Sequence, residues 1–351
     1  MKHIPALDGL RAIAILAVVA NHVATAVVPG GFGVMLFFVI SGFIITRLLL
    51  QSPTLTVPAL QGFYLKRFFR LAPALFVFLV ASGVLMMATG HVIPTRDYAA
   101  TLLYYANYHR YTTFGPVSSP LVVTWSLAVE EHFYLLFPVV LLFFRRHLVP
   151  VLVATLVVVM AWRCVLVFGM HAPVQRTYCG TDTRLDAIAW GCLLSALMRR
   201  DGDAPAWAGS RIARLAAVAA LAASFAVRSD AFRETLGYSL QGFALFVALH
   251  VLFRASAGPS MVRALLESKP MQFVGKISYS LYLYHFLALC VMMEILPSGR
   301  VRMASTLVAG FTAAYLSHRF VEWPLRRFGA RLAKRVGKLE DAAGPAGGLG
   351  A

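Results

Sequence analysis

The chain has 351 residues, of which 59% are hydrophobic and only 13% charged, and its mean hydropathy is +0.73. These figures exclude an ordinary soluble domain and describe a polytopic membrane protein whose first partner is the lipid bilayer. The formal charge of +17 and the pI near 10.2 do not point to nucleic acid, because the basic residues sit in short clusters between apolar runs about 20 residues long, as topology signals do.

The first apolar stretch, residues 7–28, carries Asp8, Arg11, Asn21 and His22. Arg11 and His22 are separated by three helical turns with about 20° left over, so they share one face about 16 Å apart. Alone, Arg11 fits a snorkelling arginine and His22 a packing residue. Ionisable groups at membrane depth cost at least about 2.5 kcal/mol each, so the pair on one face points to function. Asp8 and Arg11 interrupt the apolar region that a signal peptide would need, so a retained first helix is expected.

A second span, 32–50, follows Pro29-Gly30-Gly31 as an antiparallel partner. Lys66-Arg67-Phe68-Phe69-Arg70 precedes a third span, 71–89, and the aromatic, semi-polar stretch 98–111 predicts one interfacial or re-entrant helix. The fourth span, 121–144, opens with Thr124-Trp125-Ser126 and holds Glu130-Glu131. Six more are expected at 148–170, 185–198, 215–227, 236–253, 277–296 and 303–320. The expectation is an all-α transmembrane bundle of about ten spans occupying residues 1–324, with a basic, then Gly/Ala-rich, disordered tail at 325–351. Most of the 32 Lys and Arg residues then fall on one side, which predicts cytoplasmic N- and C-termini. The four cysteines have neither CxxC nor metal-ligand spacing, so no disulfide framework and no metal site is expected. No internal repeat stands out, unlike transporters built from inverted repeats.

Arg67 and Arg70 lie at i, i+3 at a membrane boundary. Such a fork suits a polyanion such as a nucleotide-bearing thioester, and it equally suits a topology marker. Glu130 and Glu131 repel each other and point about 100° apart, so one faces a polar cavity with His22 while the other finds arginine, backbone or water. Which one faces in is open. Asp182, Arg184 and Asp186 alternate on an expected outer loop, as a clamp for a hydroxyl-rich acceptor or as an ion-paired turn. Tyr279, Tyr282 and His285 follow Gly275-Lys276-Ile277-Ser278. The tyrosines also fit an aromatic belt. Arg319 and Glu322 at i, i+3 predict a structural pair closing the bundle.

Taken in order, LDGLRAIAILAVVANH, FFVISGFIIT, KRFFRLAP, TWSLAVEEHFYLLFP, TRLDAIAWG, ISYSLYLYH and HRFVEWP resemble the integral membrane O-acyltransferases of acyltransferase family 3, from residue 7 to residue 324. The family's Arg and His in the first span match Arg11 and His22, its basic pair matches Arg67 and Arg70, and its Trp-Ser…Glu-Glu motif matches Trp125, Ser126, Glu130 and Glu131. His132 departs from the pattern, standing where Gln is common. The resemblance implies transfer of an acyl group, commonly acetyl from acetyl-CoA, to a hydroxyl of a carbohydrate or another surface or secreted molecule, at the cell inner membrane. Acyl-CoA is then a donor substrate and no cofactor is permanently bound. His22 would be the base with a carboxylate orienting its ring, and Arg11 would hold donor phosphates or balance the carboxylate. Arg67 and Arg70 would bind the donor, and Trp125, Asp182, Arg184, Asp186, Tyr282 and His285 are the candidate substrate contacts. Some relatives carry an appended hydrolase-like domain. A chain ending about thirty residues after the last motif is expected to complete transfer alone or with a separate partner. The rival class is a transporter or flippase moving an acyl donor or lipid-linked sugar through the same cavity. A non-catalytic partner in polysaccharide assembly is the third reading. The oligomeric state has no signature in the sequence.

Overall fold

The computed structural model describes residues 4–24, 30–52, 55–112, 119–200, 206–254 and 260–343, and every regular element among them is helical. Helix α1 (Pro5–Val23) places Pro5 at its first position, where the missing N–H has no helical partner to lose. After α2 (Gly30–Leu49) comes α3 (Val57–Ala88), capped by Thr56, whose hydroxyl accepts from the Ala59 amide. The 32 residues of α3 make a rod roughly 48 Å long, more than a hydrocarbon core of about 30 Å can hold, so one end reaches past the bilayer.

Two short helices, α4 (Thr95–Leu102) and α5 (Ala106–Thr112), stand where the sequence predicts one interfacial helix. The break between them contains Tyr104, whose φ of 55° lies in the left-handed region. A 3₁₀ turn, Pro120–Thr124, leads into α6 (Trp125–Phe144), and a second, Arg145–His147, links it to α7 (Leu148–Cys164). Then follow α8 (Val174–Cys179), α9 (Thr181–Arg200), α10 (Arg211–Ala226), the single turn α11 (Asp230–Phe232), α12 (Tyr238–Phe253), α13 (Met261–Leu266), α14 (Lys269–Ile295), α15 (Arg300–Ser317) and α16 (Trp323–Ala343).

All ten expected spans fall on helices, yet among the described residues only six helical segments are long and apolar enough to cross a membrane. One of them, Pro120–Gly169, is a 50-residue run that contains both the fourth and fifth expected spans. The remaining three fall short for physical reasons. Asp182, Arg184 and Asp186 lower the hydropathy of α9, α10 has only 16 residues, and α15 begins Arg-Val-Arg. A second correction concerns the tail: α16 is helical through Ala343 where composition predicts disorder, and residues 344–351 lie outside the described residues.

The main core joins α1, α2, α6, α9 and α12 through side chains such as Ile15, Phe43, Val129, Ile188 and Phe246. A smaller core sets Leu75, Phe78 and Leu79 of α3 against Leu283 and Leu287 of α14. Helix α1 lies between α2 and α14, α2 packs on α9, and α3 packs on α16. The α2/α9 seam is close because Gly42 and Gly191 each meet the facing backbone where any Cβ would collide. Exposed Phe76, Val80, Val84, Val157 and Val158 on α3 and α7 form the apolar exterior that lipid requires.

Candidate active site

Helices α1, α2, α3, α6 and α14 enclose a cavity of about 80 Å³ lined by Arg11, Ser41, Arg67, Arg70, Ser126, Glu130, Tyr134, Tyr279 and Tyr282 among apolar neighbours. A single water needs about 10–15 Å³ on this measure, so the space admits a handful of waters or a small acyl group. Glu130 is the carboxylate that faces in. Its Oε1 accepts from Ser41 at 2.9 Å and its Oε2 from the Tyr134 hydroxyl at 2.6 Å. The Tyr134 ring in turn carries the Arg67 guanidinium, 3.7 Å above its centroid. The cavity thus joins α2, α3 and α6 through one stacked, hydrogen-bonded unit.

Positive charge accumulates at this end of the bundle. Arg11 pairs with Asp8 at 3.1 Å. The Nε–H groups of Arg67 and Arg70 are buried and meet no acceptor among the described residues. Arg326 of α16 lies within electrostatic reach of both Arg11 and Arg70. It was missed in the sequence because it was assigned to a disordered tail. The placement shows only in the folded chain: Gly62 lies near Ala333 and Phe69 near Phe328, so α16 runs antiparallel to α3 and brings Arg326 level with Arg70. Glu322 bonds His318 and Ser280, each at 3.1 Å, in place of the predicted Arg319.

Beyond the cavity the polar groups continue toward the far end of α1. The Tyr282 hydroxyl donates to the Val123 carbonyl at 2.7 Å, so the Ser126 hydroxyl, also 2.7 Å away, donates to Tyr282. The Tyr282 ring lies 5.9 Å from that of His285, and His285 Nε2 lies 3.0 Å from Nδ1 of His22. His22 therefore meets a second imidazole. It also stands apart from the cavity walls. The cavity wall includes Glu130 and not His22, which differs from the expectation of His22 and a glutamate sharing one chamber. The reason is length: three helical turns separate His22 from Arg11, while Glu130 sits nearer the arginines.

Other candidates disperse. Trp125 packs between Tyr178 and Phe38 in the core, with ring centroids 4.9 and 6.2 Å away. His132 hydrogen-bonds Thr181 at 2.7 Å, in a network with Asn107, and does not line the cavity. Glu131 does not line it either. Asp182, Arg184 and Asp186 cannot act as one clamp, because they lie within a helix, where residues two apart diverge by about 200°. Asp182 accepts from Trp162 and Arg176. Burial pushes its carboxyl up, and these two donors outweigh that effect and hold it below its ordinary value. Arg184 is fully buried, 3.8 Å over the Tyr238 ring. Asp186, 1% exposed, pairs with fully buried Arg163 at 2.7 Å, and Arg163 also donates to Thr183 and Ser239. No cluster of three or more His, Cys, Asp or Glu side chains suited to a metal exists among the described residues.

The chain is thus an integral membrane protein, a helical bundle with a cation-rich interior cavity and a line of polar side chains leading to paired histidines. The family's sequence profile, described as an acyltransferase domain, matches residues 4–319. The chain belongs to acyltransferase family 3. It is 31% identical to the peptidoglycan O-acetyltransferase OatA of Listeria monocytogenes over 93% of this chain and 56% of that protein. It is likewise 31% identical to the O-acetyltransferase OatA of Staphylococcus aureus over 96% of this chain and 60% of that protein. The chain thus spans little more than half the length of these relatives. No solved structure matches it.

Proposed function

We propose that the protein is a membrane O-acyltransferase that moves an acyl group, most simply acetyl, from acyl-CoA to a hydroxyl of a carbohydrate. The observation that carries this reading is the sequence of polar groups from the arginine-rich cavity through Ser126 and Tyr282 to His285 and His22. Arg11, Arg67, Arg70 and Arg326 bind the donor phosphates, Arg67 and Arg70 using Nε–H groups that meet no acceptor among the described residues. The pantetheine arm lies along the polar line and carries the thioester toward His22, about 16 Å from Arg11 along α1.

There the His22 imidazole takes the proton of the acceptor hydroxyl as the oxygen bonds to the acyl carbon. The carbon–sulfur bond breaks, and the departing thiolate receives that proton from His22. Glu130, held by Ser41 and Tyr134, balances the arginines and fixes the cavity wall. The distribution of Lys and Arg supports a cytoplasmic arginine end, with His22 toward the opposite face of a cell inner membrane. The same basic cluster serves both topology and donor binding.

Purified protein in lipid nanodiscs, supplied with acetyl-CoA labelled in its acetyl group and peptidoglycan fragments, tests the reaction. Free CoA thiol and labelled glycan should appear together. Surface glycans of wild-type and deletion strains, compared by mass spectrometry, should differ by a lost acyl mass. An intact thioester together with unchanged glycans would sink the proposal, and labelled donor crossing sealed vesicles unconsumed would install the transporter in its place.

A further inference from the structure

His285 sits on α14 with 1% of its surface exposed, its ring stacked on that of His22 with centroids 5.2 Å apart and planes 20° from parallel. Its two nitrogens have different partners. Nδ1 lies 3.0 Å from the Leu281 carbonyl oxygen, and Nε2 lies 3.0 Å from Nδ1 of His22. A carbonyl oxygen only accepts, so Nδ1 of His285 carries a hydrogen and donates it there. A doubly protonated ring at this depth would be a buried cation with no carboxylate among its described hydrogen-bond partners, an arrangement that interiors penalise heavily. The ring is therefore neutral and presents a lone pair at Nε2. Only a hydrogen from His22 can meet that lone pair, so His22 holds its proton on Nδ1 and its basic lone pair on Nε2.

We infer that His285 is a positioning residue that sets the tautomer and orientation of His22, making Nε2 of His22 the nitrogen that takes the acceptor proton. This rests on the proposed role of His22 as base. The order of donation runs from His22 Nδ1 to His285 Nε2 and from His285 Nδ1 to the Leu281 carbonyl. The backbone of α14 thus anchors the base. A neutral imidazole does here what a carboxylate does in hydrolytic triads, where the partner fixes the tautomer of the catalytic histidine. Within a bilayer it has an advantage, since a carboxylate in the same place would need further donors to be tolerated. Phe286, edge-on to His22 at 5.1 Å, closes another side of the ring and limits its rotation.

Three variants in nanodiscs, assayed with acetyl-CoA and peptidoglycan fragments at equal amounts of folded protein, test the assignment. His285→Phe keeps the ring volume and the stack and removes the acceptor. It should lower kcat by at least about tenfold, up to the roughly 10²–10⁴-fold attributed to general-base assistance, and leave the donor KM unchanged. His285→Gln offers an amide oxygen close to the position of Nε2 and should restore most of the loss. Full kcat in the Phe variant, or a Gln variant as slow as Phe, overturns the proposal. Histidine-labelled NMR of the unaltered protein gives a reading independent of variant folding: the ring carbon and nitrogen shifts of His22, assigned by their absence from His22→Ala, should report Nδ1 protonation. Nε2 protonation overturns it. Full activity in His22→Ala would instead remove His22 from catalysis, and the NMR tautomer would still decide the hydrogen-bond order.

Discussion

Two sets of buried arginines in this molecule carry opposite meanings. Arg163 is fully enclosed and its charge is paired, with Asp186 at 2.7 Å and further bonds to Thr183 and Ser239 that tie α7, α9 and α12 together, although its Nε–H meets no acceptor among the described residues. Arg67 and Arg70 line a cavity next to Arg11 and within reach of Arg326, and among the described residues neither forms a salt bridge with a carboxylate. A paired buried charge is architecture. A gathering of like charges around a cavity is suited to an anion that arrives from outside. The first set should govern folding and the second binding.

The largest expected effect falls on the paired set. Asp186→Ala leaves an uncompensated guanidinium and should destabilise by about 3–5 kcal/mol, enough to deplete folded protein from the membrane. Arg163→Met combined with Asp186→Leu should regain much of that stability, since replacing both partners removes the stranded charge. Thermal denaturation followed by size-exclusion chromatography measures both, and a stable single variant would break the distinction.

Next comes His22, which belongs to neither set. His22→Ala should lower acyl transfer by about 10²–10⁴-fold with donor affinity and abundance preserved. Calorimetric titration with CoA separates the two quantities, and a parallel loss of CoA binding would move His22 into the donor site.

The cavity set follows. Arg67→Ala and Arg70→Ala should each weaken CoA binding by about 1.5–3 kcal/mol, the value of a hydrogen bond to a charged group, with the protein still inserted. Arg326→Ala should produce a smaller loss, because its side chain is exposed and screened, and that loss should shrink as salt is raised. If Arg67 or Arg70 variants vanish from the membrane, the cavity set is architectural too. The smallest effect is expected from His132→Gln. An amide can keep the bond to Thr181, and His132 lies off the cavity wall, so activity per folded molecule should stay near wild type.

The charged and titratable residues at membrane depth were legible because membrane interiors make them conspicuous: such a side chain in an apolar run costs free energy wherever it ends up. That reasoning singled out Arg11, His22, Arg67, Arg70, Glu130 and Glu131, and helical period put Arg11 and His22 on one face. It misplaced 182–186 because an alternation read as a loop brings residues together, whereas the helix at Thr181–Arg200 turns them apart. It also overlooked Arg326, since composition alone cannot say that a basic segment will find a helix to pack on.

The sequence by itself determined the class of structure, an apolar all-helical bundle, together with the family and the residues that sit at membrane depth, because those follow from local hydropathy and short motifs. Pairing was decided only in three dimensions. Which of two adjacent glutamates faces the cavity depends on where Ser41 and Tyr134 stand, and the partner of His22 turned out to lie 263 positions away on α14. The physical reason is that a hydrogen bond selects partners by distance and direction to within a few tenths of an ångström, and helix packing alone sets those quantities across so many residues.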